Sequence, residues 1–93
     1  MWTVLQRKSV TKRTRKLPQH VLDRFEQWIQ IVRISGPEGL LELPGLNDES
    51  LSGEWEGHRS SRINLQYRVI YKIDRDEVQV LVVELTAHDY RKK

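Results

Sequence analysis

Arg62, Arg68 and the terminal run His88–Asp89–Tyr90 are the residues of this chain whose types and spacing could do chemistry. An arginine fork donates two parallel hydrogen bonds to phosphate oxygens. An imidazole, with an ordinary pKa of about 6.5, exchanges a proton at neutral pH. A phenol donates a hydrogen bond or stacks on a nucleobase. Each residue also has a plainer role. An arginine on a solvated strand pairs with Asp or Glu, Asp89 caps or pairs with Arg91, and a terminal His or Tyr decorates the surface. Two phosphate-binding forks near an imidazole and a phenol are a less ordinary set, and their shared chemistry is that of a phosphodiester.

Other chemistry is poorly supplied. The chain has no cysteine, so thiol nucleophiles, disulfides and zinc thiolates are excluded. Its three histidines are scattered without ligand spacing, so neither a metal nor a cofactor is expected. His58 and Arg59 stand at the entrance to the arginine strand; Arg59 is a second candidate for RNA contact, and His58 a weaker candidate for proton transfer. His20 falls near a helix start and reads as structural or exposed.

The net charge of +3 conceals an asymmetry. Residues 1–16 hold six Lys/Arg and no acid, residues 17–57 two against eight, and residues 58–93 eight against five. Clustered positive charge is the footprint of a polyanionic partner. Lys12, Arg13, Arg15 and Lys16 share one short basic segment, read either as a solvated helix face or as a contact for RNA phosphates.

The elements that must position these residues follow from periodicity. Trp2–Gln6 is short and β-prone, an expected edge strand. Ser9–Leu17 is expected to be a short helix capped by Ser9. After Pro18, apolar residues at 21, 22, 25, 28, 29 and 32 recur at helical spacing, and Gly36–Pro37 ends that helix. Residues 36–53 hold four glycines and two prolines and read as a loop. Ser61–Ile73 alternates apolar and polar, so Arg62 and Arg68 are expected on the polar side of one strand, roughly 20 Å apart. Val78–Leu85 is nearly continuous in apolar residues, as in a central strand covered on both faces. The order predicts one α+β domain over residues 1–93: a small twisted antiparallel sheet with two N-terminal helices packed on one face. No apolar run reaches the roughly 20 residues of a membrane span, and charge follows Met1–Gln6 at once, so a cytoplasmic protein with no membrane partner is expected.

The stretch ESLSGEWEGHRSSRINLQYRVIYKI followed by VQVLVVELTAHDY resembles the RelE/ParE toxin superfamily of type II toxin–antitoxin systems. The shared elements are a D-E-x-L-x-G lead-in, a G-x-R-S-x-R-I approach, Y-R-V-I-Y in the strand and a terminal H-D-Y, and the upstream layout agrees. The chain is most similar to the YoeB-like, ribosome-dependent mRNA interferases, where a glutamate precedes the two arginines; Glu49, Arg62 and Arg68 stand in that order. Ser50 replaces the proline that follows this glutamate, and Asp89 is inserted between His88 and Tyr90.

The resemblance implies a RelE-like fold and an endoribonuclease that cuts mRNA in the ribosomal A site by metal-independent attack of the 2′-hydroxyl. Glu49 is then the base and His88 the acid, or the reverse. Arg68 stabilises phosphoryl charge, Tyr90 positions the phosphate or stacks on a base, Arg62 holds the backbone and Asp89 orients His88. Lys12, Arg13 and Lys16 contact ribosomal RNA, and an antitoxin protein holds the chain silent. Two alternatives share these motifs: a ParE-like inhibitor of DNA gyrase, which has no nuclease constellation, and a non-catalytic RNA-binding module.

Overall fold

A computed structural model describes residues 1–87; His88, Asp89 and Tyr90 lie outside the described residues. Five strands form one sheet in the order β1-β5-β4-β3-β2: β1 (Thr3–Gln6), β2 (Glu49–Ser50), β3 (Arg59–Arg62), β4 (Arg68–Asp74) and β5 (Gln79–Thr86). Strands β2 to β5 pair antiparallel, and β1 joins β5 in parallel, making the sheet mixed. The helices are α1 (Lys8–Thr14), α2 (Gln19–Ser35) and the one-turn α3 (Glu38–Leu41). The α+β class expected from element order is the class observed, with one parallel edge strand added to the antiparallel meander.

Helix α2 buries Val21, Phe25, Trp28 and Val32, a stripe at 3.6-residue period. Of these, Phe25, Trp28 and Val32 join Val10 of α1, Leu40 of α3, and Ile63, Val69, Tyr71, Val80, Val82 and Leu85 of the sheet side in one core cluster. The Trp28 and Tyr71 rings meet edge-on at 5.2 Å, a favoured aromatic geometry. All three helices therefore cover one sheet face. Ile70 and Val83 are also buried but stand outside that cluster, so the middle of the sheet is covered on both sides. Gly36 closes α2 at φ 75°, its N–H bonded to the Val32 carbonyl at 2.8 Å. A Cβ there would come within 2.7 Å of Trp2 Nε1, so no other residue fits.

Two local expectations are corrected. Helix α1 begins at Lys8, and its cap is Arg7, whose carbonyl accepts the Val10 and Thr11 N–H groups; Ser9 lies inside the first turn. Backbone capping of this kind leaves no signature residue in the sequence. More consequential, Ser61–Ile73 is two strands. Asn64 Oδ1 accepts the N–H groups of Gln66 and Tyr67 at 2.9 and 2.8 Å, an Asx turn that reverses the chain. The Ile63 N–H then bonds to the Tyr67 carbonyl at 2.9 Å and closes the hairpin. Leu65, expected on the inward face, sits at the hairpin tip and is 91% exposed. Alternation ran on through the turn only because Ile63 and Tyr67, on either side of it, both reach the core.

Candidate functional site

The hairpin brings Arg62 and Arg68 together. They are direct Cα partners across β3 and β4, and Arg68 is in turn the partner of Thr86 on β5. Partners across a ladder share a face and stand about 4.5–5.5 Å apart, in place of the roughly 20 Å of a continuous strand. Two residues back along β3, Ser60 pairs with Glu49 of β2. Glu49, Ser60, Arg62, Arg68 and Thr86 thus share one sheet face, opposite the helix-covered face of Val69 and Tyr71.

Arg68 is buried, at 5% exposure. Its Nε donates to Ser60 Oγ at 2.8 Å, and its outer nitrogen lies 3.6 Å from Glu49 Oε2. The Glu49 side chain keeps 38% of its surface, although its Oε2, the oxygen that faces Arg68, is buried, and the guanidinium is held from behind by Ser60. A fixed, desolvated cation beside a partly exposed glutamate is a site for a polar ligand with an acidic proton and developing negative charge. The register skips Val83, because Ile70 pairs with Glu84 and Tyr71 with Val82. This bulge increases the local twist of β5 beside the Arg68–Thr86 pair.

A second polar cluster lies on the other side of β3 and was not found from sequence. Asp48, almost wholly buried, accepts from Arg59 Nε at 2.8 Å, from Tyr71 OH at 2.5 Å and from Ser61 Oγ. A buried carboxylate is tolerated only with such partners. Burial opposes the Arg59 charge, but the hydrogen bond and charge of Asp48 outweigh it and hold the guanidinium above its ordinary range. Burial, then the hydrogen bond to Asp48, pushes the Tyr71 phenol well above its ordinary value. Arg59, a candidate RNA contact, engages its Nε with Asp48 and keeps 29% of its side chain exposed. Asp48 ties the residue before Glu49 to β3 and β4. The signal available in the sequence was the R-S-S-R of β3, whose alternation presents one Arg–Ser pair to each face.

The other candidates are spread more widely. Lys12 and Arg13 on α1, and Lys16 in the turn after it, are exposed, with no carboxylate within 4 Å among the described residues. Arg13 lines a shallow cleft of about 240 Å³ with Glu84 and Thr86, which brings it beside the Arg68 row. His58 lies in the β2–β3 loop, edge-on to Trp55 at 5.2 Å, and His20 is exposed in the first turn of α2. His88, Asp89 and Tyr90 are outside the described residues; in sequence His88 follows Thr86, the partner of Arg68, by two positions. Among the described residues, no group of three or more His, Asp or Glu could hold a metal, and no helix is long and apolar enough to cross a membrane.

No family model matches this sequence, and no curated protein matches it. The fold does match solved structures. The archaeal RelE–RelB complex from Pyrococcus horikoshii aligns at TM-score 0.74 and 22% identity over 92% of this chain and 93% of that one. The YoeB–YefM complex from Staphylococcus aureus aligns at 0.72 and 16% identity over 96% and 99%. A YoeB/ParE toxin from Agrobacterium tumefaciens aligns at 0.70 and 14% over 94% and 99%. The fold of this chain is that of the RelE and YoeB toxin structures.

Proposed function

We propose that this chain, built on the RelE/YoeB fold, is the toxin of a type II toxin–antitoxin pair, a cytoplasmic endoribonuclease that cuts mRNA in the ribosomal A site. The observation that carries the reading is the buried Arg68, held by Ser60 and set 3.6 Å from a carboxylate oxygen of the partly exposed Glu49 side chain, with Arg62 directly opposite. Structural neighbours solved with a partner, the RelE–RelB and YoeB–YefM complexes, support an antitoxin for this chain as well.

In the proposed reaction Glu49 takes the proton of an RNA 2′-hydroxyl. The freed oxygen attacks the adjacent phosphorus, the bond to the 5′-oxygen breaks, and His88 returns a proton to that oxygen. The products are a 2′,3′-cyclic phosphate and a 5′-hydroxyl. Arg68 meets the charge that builds on the phosphoryl oxygens, an electrostatic contribution worth about 10²–10³ in rate when one preorganised donor is removed. Arg62 holds the neighbouring phosphate, Tyr90 positions the scissile group and Asp89 orients His88. Lys12, Arg13 and Lys16 contact ribosomal RNA with the salt dependence of phosphate binding.

Inducing the chain in cells and mapping transcript ends tests this reading. Breaks confined to translated frames support it. Growth arrest with intact transcripts and inhibited gyrase supports the ParE-like alternative, and a folded Arg68→Ala variant that arrests growth as the wild type does contradicts the catalytic role.

A further inference from the structure

Glu49 is offered to Arg68 by an element with little hold of its own. Strand β2 is two residues long, and its ladder consists of the pairs Glu49–Ser60 and Ser50–Arg59. Turns flank it, one at Pro44–Leu46 that ends on Asn47 at a positive φ of 48°, the other at Gly53–Trp55. A short edge strand between turns belongs to the part of a fold that opens most readily. A carboxylate that removes a proton must instead keep its place to within about 0.5 Å. Misplacement by about 1 Å costs about 10²-fold in rate.

The Asp48 cluster supplies that hold. The Asp48 carboxylate accepts from Arg59 Nε at 2.8 Å, from Tyr71 OH at 2.5 Å and from Ser61 Oγ, so three bonds tie the residue before Glu49 to β3 and β4. Arg59 acts twice. Its backbone pairs with Ser50, the residue after Glu49, and its side chain binds Asp48, the residue before. Glu49 is thereby bracketed by one residue of β3. Arg59, Ser61 and Tyr71 alternate with Ser60, Arg62 and Arg68, so the cluster lies on the opposite side of the sheet from the Arg68 row. Packing alone does not call for a carboxylate here. Apolar residues in place of a buried ion pair are often neutral or stabilising, and Val69 and Trp28 beside the cluster are apolar core. Hydrogen bonds add direction, which apolar packing lacks. We propose that Asp48 is a positioning residue: through Arg59, Tyr71 and Ser61 it holds β2 so that the Glu49 carboxylate meets Arg68 in the geometry proton removal needs. The assignment rests on the function proposed above.

The test uses the full chain with Tyr71→Phe, which deletes one oxygen on the far side of the sheet, and Asp48→Asn, which keeps shape and loses charge. Should Asp48→Asn not fold, Tyr71→Phe alone decides. Single-turnover cleavage at varied concentrations of programmed ribosomes separates rate from binding. The limiting rate is expected to fall about tenfold in Tyr71→Phe and about 10²-fold in Asp48→Asn, with the half-saturating concentration unchanged. In a Glu49→Gln background neither change is expected to lower the rate further, because the group being positioned is gone. A merely structural cluster lowers the folded fraction, and so the rate, by the same factor in both backgrounds; that result overturns the proposal, as does an unchanged rate in folded Tyr71→Phe. Amide exchange reads the hold on β2 without RNA. The Leu51 N–H, bonded to the His58 carbonyl at 2.9 Å, is expected to speed up at least about tenfold more than the Gly36 N–H, bonded to the Val32 carbonyl at 2.8 Å. Equal acceleration of the two overturns the proposal. If the wild type cuts no RNA, the functional reading falls and takes the positioning role with it, while the exchange contrast stands. Wild-type cleavage with equal exchange and additive variants sinks the Asp48 assignment alone.

Discussion

Arg62 and Arg68 are direct partners across the β3–β4 ladder, two guanidinium groups on one face of the sheet. Like charges directly opposite one another destabilise a sheet. Arg68 is offset by Ser60 and Glu49, whereas Arg62 has no carboxylate partner among the described residues. Such a pair is stabilised by an anion between its members, and a backbone phosphate is one. Arg62→Ala is therefore expected to weaken RNA cleavage while raising the stability of the free protein, by up to about 1 kcal/mol. Urea unfolding together with a cleavage assay reads both. A loss of stability would show that Arg62 serves the fold.

Arg68 should respond to shape as well as to charge. Arg68→Ala is expected to lower the cleavage rate by about 10²–10³. Arg68→Lys keeps a cation but loses the planar fork that reaches Ser60 and Glu49 together, so it should recover only a small part of that loss. Ser60→Ala removes the hydrogen bond behind the guanidinium and should cost about 1.5–3 kcal/mol of stability, as for a bond to a charged group. Single-turnover cleavage and denaturant melts on the three variants separate the effects.

The Asp48 cluster predicts an alkaline weakness. The folded phenol of Tyr71 is raised above its ordinary value by burial and by Asp48. Its contribution is fully present below the unfolded value of about 10 and is lost as pH rises above it, because only the unfolded chain then releases the proton. The slope approaches about 1.4 kcal/mol per pH unit. Tyr71→Phe should remove that slope, measured as melting temperature against pH. Asp48→Ala should destabilise the fold by about 3–5 kcal/mol, since it leaves the buried donors of Ser61 and Tyr71 without their acceptor.

Val78 carries a positive φ of 53° in the turn between β4 and β5. A β-branched residue is strained there by about 1–2 kcal/mol, and Asn tolerates the conformation. The side chain is 42% exposed, so little packing is lost on replacement. Val78→Asn should raise stability by about 1 kcal/mol in urea unfolding without changing cleavage.

These relationships show where the sequence could and could not be read. Helix α2 was legible because its buried residues fall at helical period and Gly36 stops it. Strand β5 was legible because its apolar run is nearly unbroken. The arginine pair was legible by residue type but misplaced in space: Ile63, Leu65 and Tyr67 kept the strand alternation through a turn made by one Asn64 side chain. The parallel pairing of β1 with β5 joins elements from opposite ends of the sequence and leaves no local trace. Asp48 escaped notice because its three donors come from residues 59, 61 and 71, which only the folded sheet brings together. Glu49 was placed by family resemblance alone, and its proximity to Arg68 is a product of β2 pairing with β3.

The most direct measurement is cleavage of a defined mRNA on purified, programmed ribosomes, with wild-type protein, Arg68→Ala and Glu49→Gln compared at matched folding. The account predicts cuts in the A-site codon ending in 2′,3′-cyclic phosphate, reduced at least about 10²-fold in each variant. Intact mRNA in the presence of folded wild-type protein, or undiminished cutting by either variant, would contradict it.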